Sequence, residues 1–290
     1  MAVGGTVSNA FVQMWSEDVT HLAQQKASKL QGAVRTVRGV VGNQYKFHTL
    51  GKGGYIKNKT RNADLVPMSD SAAFSAPTDG ASYTGSTAAH AVVTATMNSF
   101  VTGEYIEDID QLRTNIDYRQ SYQGAIAAAL NRAYDAELIS VMDAATPGTT
   151  VTASSGLVKD KLVEAAEALN EADVPMGERF LVISPAALTD MLGDTTLISS
   201  DYVATQGLQT GYIPNVLGFN IVVSNLLTDT AGVRACYAFD RNSIGCAIGK
   251  DITSRFDYVP QKVAHLVTAE FTQGCAVIDT SGLVQIDVTE

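Results

Sequence analysis

From about Asn115 to Asp143 the chain runs without a proline, while apolar side chains recur at Tyr122, Ile126, Leu130, Tyr134, Leu138 and Val141. Steps of four and three keep these groups on one side of an α-helix. The opposite side carries Asp117, Arg119, Gln123, Arg132 and Asp135, which suit water or a polar partner. At about 1.5 Å per residue the helix is about 40 Å long. That is more than one compact core covers; the helix reads either as an ordinary core helix or as a spine from which other elements hang. Asn115 is placed to cap its start, and Pro147-Gly148 forbids continuation.

The segments around the spine change period. Residues 8–31, with Phe11, Met14, Trp15, Val19, Leu22 and Leu30, predict a short amphipathic helix. From Thr36 the pattern alternates: Asn43, Tyr45 and Phe47 against Gln44, Lys46 and His48, as in a strand. A polar stretch rich in Gly, Ser, Asp and Lys follows. Alternation returns at His90–Met97, where Val93, Ala95 and Met97 share a face. Two strands around so long a polar stretch predict a long β-hairpin or projecting loop, a feature usually functional or partner-bound; a disordered tip is the competing reading. Glu104, Glu107, Asp108 and Asp110 precede the spine and complement its dipole. Beyond it, Leu157–Ala172 predicts a second helix with Val158, Leu162, Ala165, Leu169 and Ala172 buried, ended by Val174-Pro175. Phe180–Ile183 reads as a buried strand, Ser184-Pro185 as the start of a third helix, and Gly218–Val223 as another strand. Residues 156–225 thus form an α/β module. The remainder reads as β: Arg234–Phe239, Ile244–Ile248, then strands near 252–259, 262–271, 275–279 and 283–288.

Composition narrows the class. The 290 residues are 46% hydrophobic and 17% charged, which makes a folded chain of one or two domains. No apolar run approaches the eighteen or so residues of a membrane span, and the N-terminus lacks the pattern of a secretory signal. Cys236, Cys246 and Cys275, at spacings of ten and twenty-nine, match no metal or redox motif and read as reduced, buried small hydrophobes. The net charge of −10 is split unevenly. Residues 1–62 hold nine Lys and Arg against two Asp and Glu, a balance of +7; residues 63–290 hold eleven against twenty-eight, a balance of −17. A basic arm lying on an acidic neighbour uses such a split to set register; basic residues that merely solubilise an exposed arm produce it too. The acidic body argues against tight nucleic-acid binding.

No constellation asks for catalysis, a cofactor or a metal. His21, His48, His90 and His265 are far apart with no HExxH pair, and no G-x-S-x-G elbow exists. Around Gly51-Lys52-Gly53 the phosphate-loop spacing fails, with Lys46 in place of its first glycine and Gly53 in place of its Ser or Thr.

Certain stretches carry a resemblance. They include Tyr45-Lys46-Phe47-His48-Thr49-Leu50-Gly51, Ile106-Glu107-Asp108-Ile109-Asp110-Gln111-Leu112, and Ala128-Ala129-Leu130 ahead of Tyr134-Asp135. Others are Leu169 through Pro185, Gly211 through Asn225, and Phe271-Thr272-Gln273-Gly274 before Val277-Ile278. Together, and in this order, they resemble the major capsid protein of tailed bacteriophages, with its α+β Hong Kong 97-type fold, in the podovirus-like branch.

The resemblance implies a shell protein and not an enzyme. It implies an N-terminal arm at 1–35, an extended loop at 36–102, and a peripheral domain with the spine helix at 103–155. An inserted axial domain follows at 156–232, and C-terminal β segments at 233–290 return to the peripheral domain. It implies self-assembly into pentamers and hexamers of an icosahedral virion capsid in a bacterial cytoplasm. Double-stranded DNA would be packaged without sequence specificity, and the precursor shell would expand on packaging. A separate scaffolding protein and a portal protein are the implied partners, with no membrane and no cofactor. Arg35, Arg38, Lys52, Lys57, Lys59 and Arg61 become candidate intersubunit contacts. Some relatives crosslink a loop lysine to an asparagine on another subunit, and Lys52, Lys57 and Lys59 are the residues in place here, with no motif for the geometry. Gly124, costing about 1 kcal/mol against alanine in mid-helix, is a candidate close-packing point or spine bend. An encapsulin-like nanocompartment shares the implied fold, and a soluble α/β enzyme with a β extension is the alternative of another class.

Overall fold

The computed structural model describes residues 23–51, 55–57, 61, 82–84, 90–107, 109, 118–152, 155–193 and 215–290, and every structural statement concerns these. Strands β1 (Arg35–Arg38), β2 (Gln44–Leu50), β3 (Tyr55–Lys57), β4 (Ser82–Thr84), β5 (His90–Thr96) and β6 (Asn98–Glu107) come first. Helix α1 (Tyr118–Ala144), β7 (Thr149–Val151), α2 (Lys159–Glu171), β8 (Arg179–Ile183) and α3 (Pro185–Gly193) follow. The rest is β: β9 (Asn215–Val216), β10 (Phe219–Val223), β11 (Asp229–Thr230), β12 (Val233–Asp240), β13 (Ile244–Val259), β14 (Ala264–Val277) and β15 (Leu283–Thr289). The chain makes two compact units. One gathers Ser99–Tyr134 and Lys250–Thr272 with the described residues up to Ser28; the other gathers Lys29–Asn98, Asp135–Gly249 and Gln273–Glu290.

The expected spine is a 27-residue helix, and the proposed cap Asn115 lies outside the described residues. Ile126, Leu130, Tyr134 and Leu138 are buried as the spacing predicts, while Tyr122 and Val141 are only half-buried. Ile139 and Met142 join the buried set. Each such side chain contributes about 1.5–3 kcal/mol relative to exposure. Asp135 corrects the expected polar face: its side chain is fully buried. One carboxylate oxygen accepts the Lys29 N–H at 2.9 Å and the other the Leu30 N–H at 3.3 Å.

The helix expected over 8–31 is corrected over its described part, since residues 23–30 are irregular. Side chains of α1 satisfy this segment in place of its own backbone. Arg132 donates to the Gln24 side-chain oxygen at 2.8 Å, and Asn131 donates to the Lys26 carbonyl at 2.9 Å. A buried or half-buried backbone must find partners somewhere, and here the long helix supplies them.

In the second unit a seven-stranded sheet has the order β7-β15-β12-β8-β10-β9, with β11 paired to β12. Parallel β8 and β10, with Arg179 opposite Phe219 and Ile183 opposite Val223, flank the connection that contains α3. Strands β12 and β15 run antiparallel through the middle. The sheet therefore draws on both sides of the expected boundary at 232/233. Ser184 caps α3 as expected, its hydroxyl accepting the Ala187 N–H at 3.0 Å, with Pro185 at the first helical position. Helix α2 buries Leu162, Ala165 and Leu169, with Val158 and Ala172 half-buried. It ends on Asp173 in the left-handed region at φ 59°. The Asp173 N–H donates to Asn170 O and the Val174 N–H to Leu169 O, the paired bonds of a Schellman stop.

Two buried cations hold connections where a sequence pattern shows only polar residues. Lys161 donates to the carbonyls of Ser155 at 2.7 Å and Asp287 at 2.8 Å, and burial lowers its pKa. Arg179 donates to the carbonyls of Pro175 and Val174, fixing the chain between α2 and β8.

The C-terminal strands are longer than the sequence implies. Ile244–Ile248 and 252–259 are one strand of 16 residues, and 262–271 with 275–279 is largely one strand of 14. The strand runs on through 249–251, between the two expected strands, and Lys250 pairs with Glu270 on the facing strand. The four-stranded sheet has the order β1-β13-β14-β6.

Candidate functional site

The expected hairpin is present at its root. Strands β2 and β5 pair antiparallel, from Gln44 opposite Thr96 to Leu50 opposite His90, and β3 and β4 continue the pairing further along the loop. The alternation sorts the two faces. Phe47, Ala95 and Ala276 form a buried cluster, with Val37, Tyr45, Val93 and Ile278 packed against it. Tyr45 and Phe47 meet edge to face at 4.8 Å. The other face exposes Lys46, His48, Leu50 and Val92, an apolar and basic mixture left uncovered within the chain.

Two glycines seat this root. A Cβ on Gly245 would lie 2.5 Å from the Phe47 ring and 2.7 Å from Ile278. One on Gly274 would lie 2.4 Å from the Thr96 carbonyl oxygen. Strands β13 and β14 therefore admit the root only because both positions lack side chains. Sequence reading treated Gly274 as a break between strands; a glycine inside a β pattern also marks close backbone approach, and that is its role here.

The candidate basic residues fall in several places. Arg35 and Arg38 are exposed at either end of β1, which pairs parallel with β13 through Arg35 opposite Gly245 and Arg38 opposite Ile248. Strand β1 is an edge of its sheet, and charge on an edge strand discourages unspecific pairing while leaving room for a specific partner. Lys57 ends β3 opposite Ser82, and Arg61 is exposed in a turn. Lys52 and Lys59 lie outside the described residues, as do Asp108 and Asp110. Gly124 lies within α1 and is exposed, so packing inside this chain does not explain it.

Sequence reasoning missed Asp135, the arm's anchor, by placing it among water-facing residues. Asn131, Arg132 and Asp135 lie close together on the helix and all bind the segment at 24–30, a partner that the local sequence does not name. A cleft of 340 Å³ in the second unit includes Asp143, Thr228 and Tyr237. Asp143 accepts the Tyr237 phenol and the Thr228 hydroxyl, each at 2.5 Å. Burial, then this hydrogen bond, pushes the phenol pKa far up, so Tyr237 stays a donor that ties the end of α1 to the sheet. Among the described residues no three His, Cys, Asp or Glu side chains gather as metal ligands, and no helix is long and apolar enough to cross a membrane.

The chain belongs to the phage capsid protein family, which matches residues 7–290. Its fold is similar to that of a protein of Mycobacterium phage Che8, with TM-score 0.70 and 20% identity over 98% of both chains. It is also similar to a chain of the capsid of cyanophage P-SCSP1u, with TM-score 0.73 and 16% identity over 98% of this chain and 94% of the other. A third likeness is to a chain of the capsid of the native GTA particle, with TM-score 0.72 and 14% identity over the whole of both. No curated protein matches the sequence significantly. The chain is a structural, major capsid protein of a bacteriophage head.

Proposed function

We propose that copies of this chain form pentamers and hexamers that close an icosahedral shell around double-stranded DNA. Residues 36–102 act as the extended loop overlapping a neighbour, and 156–232 as the axial domain meeting its copies. Residues 103–155 with 233–290 act as the peripheral domain, and 1–35 as the arm. Assembly takes place in a bacterial cytoplasm on a separate scaffolding protein, with a portal protein at one vertex. The precursor then expands as DNA enters. The observation that carries this reading is the β2–β5 root: one face is sealed onto β13 and β14, the other left uncovered with Lys46, His48, Leu50 and Val92 on it. Contacts of this kind are weak singly and sum over many neighbours. Arg35, Arg38, Lys52, Lys57, Lys59 and Arg61 supply the positive side of those contacts, and Gly124 the point where the spine bends on expansion.

Negative-stain electron microscopy of the protein co-expressed with its scaffold tests the proposal. Closed shells of uniform diameter are expected; a monomer with no particles overturns it. Reversing Arg35, Arg38, Lys57, Lys59 and Arg61 to Glu should leave a folded subunit that makes no regular shells, and normal particles would remove the charge argument. Shells of Gly124→Ala that expand normally would remove the bend.

A further inference from the structure

Beside the two seating glycines stand two cysteines. Cys246 follows Gly245 on β13 and Cys275 follows Gly274 on β14. Their sulfurs are 2.8 Å apart, inside van der Waals contact, and need to close by less than about 1 Å to reach disulfide length. The strand register supports the pairing. Ten residues on along β13 and ten back along β14, Phe256 stacks on His265 with ring centroids 4.7 Å apart. Cys246 and Cys275 are therefore in step across the same two strands. Cys246 is fully buried and Cys275 retains 8% exposure, while Gln273 donates to the Cys275 sulfur at 2.9 Å.

We propose that Cys246 and Cys275 are a built disulfide site, which a low-molecular-weight disulfide oxidant converts into a staple between β13 and β14. Cys275, the more accessible, loses its proton to solvent base. Its thiolate attacks the oxidant's S–S bond, forms a mixed disulfide and releases one thiolate. The Cys246 thiolate then attacks the Cys275 sulfur and releases the second. The two protein sulfurs are oxidised, the oxidant is reduced to two thiols, and two protons leave the protein. The hydrogen bond to Cys246, with burial, pushes the Cys275 thiol pKa far up, so little thiolate is present near neutral pH and the pair oxidises faster as pH rises. The staple lies directly under the hairpin root and holds its seat closed. Cys236 sits on β12 in the other sheet and takes no part.

The test is peptide mass mapping of the purified protein under non-reducing conditions, after incubation with oxidised glutathione at pH 7 and pH 9. A Cys246–Cys275 peptide about 2 Da lighter than its two reduced halves is expected, formed faster at pH 9, with Cys236 still alkylated after denaturation. The apparent melting temperature should rise by about 5–10 °C and return on reduction. Cys275→Ser should abolish the linked peptide, and Cys236→Ala should leave it intact. Linkage through Cys236 or between molecules overturns the proposal. A second arm adds the oxidant during refolding, when burial shields neither thiol; a refolded protein without the Cys246–Cys275 link also overturns it. Neither arm requires shells, so the result is independent of whether the chain assembles as proposed.

Discussion

Strand β14 obeys two different rules along its length. From Ala264 to Thr272, in the first unit, burial largely alternates: Ala264, Val267, Ala269 and Phe271 are buried while His265, Thr268 and Glu270 are half-buried. From Gln273 to Ala276, in the second unit, every residue is buried. Strand β13 repeats the contrast, with Ile244–Ala247 fully buried and most of Asp251–Tyr258 exposed. Alternation marks a sheet covered on one face, and continuous burial a sheet covered on both. These two strands are thus covered on both faces in the second unit, whereas in the first they keep a face open to water or to another subunit.

Substitutions can break that contrast, and the largest effect belongs in the region covered on both faces. Gly245→Val forces a side chain into the Phe47 ring and should cost about 3 kcal/mol or more. Chemical denaturation measures the loss, and hydrogen exchange should show opening of β2 and β5 first. Asp135→Ala leaves the Lys29 and Leu30 N–H groups without their carboxylate. It should cost about 2–3 kcal/mol, with faster exchange at residues 23–30; unchanged exchange there would deny Asp135 its anchoring role.

A third test uses pH. Burial raises the Cys236 thiol from its ordinary 9.0 to about 11. The unfolded chain therefore releases that proton at lower pH than the folded one. The stability involved is fully present below about pH 8.5 and is lost as pH climbs towards 11, by about 2–3 kcal/mol from this group. Cys236→Ala should flatten the alkaline slope of the unfolding free energy. The smallest effect is expected on the open face. Lys250→Ala removes an ion pair with Glu270 between two substantially exposed side chains, and should leave the unfolding midpoint unchanged within error. A large loss there would mean that the one-sided region is closed after all.

The parts most legible in sequence were those where one physical signal acts alone. Helix α1 shows through its four-residue spacing, the hairpin root through alternation at Tyr45, Phe47, Val93 and Ala95, and α3 through Ser184-Pro185. The illegible parts join residues distant in sequence. Nothing near Asp135 announces that Lys29 and Leu30 come to it, and nothing near Gly274 announces the Thr96 carbonyl. Likewise, the full length of β13 shows only once β14 is seen to pair along it. The candidate intersubunit residues were chosen for charge alone. Within one chain Arg35 and Arg38 share an edge strand, whereas Lys57 and Arg61 belong to the loop beyond the root.

Strand β15 lies between β7 and β12, and β7 pairs with no other strand in its sheet. For a growing chain this sets an order of events. Residues 149–151 have no strand to join until 283–289 have been made, on the order of ten seconds later at ordinary synthesis rates. Until then the sheet stands open beside β12, with unpaired backbone groups on a waiting edge. A copy that stops short of residue 283 therefore keeps this sheet open beside β12.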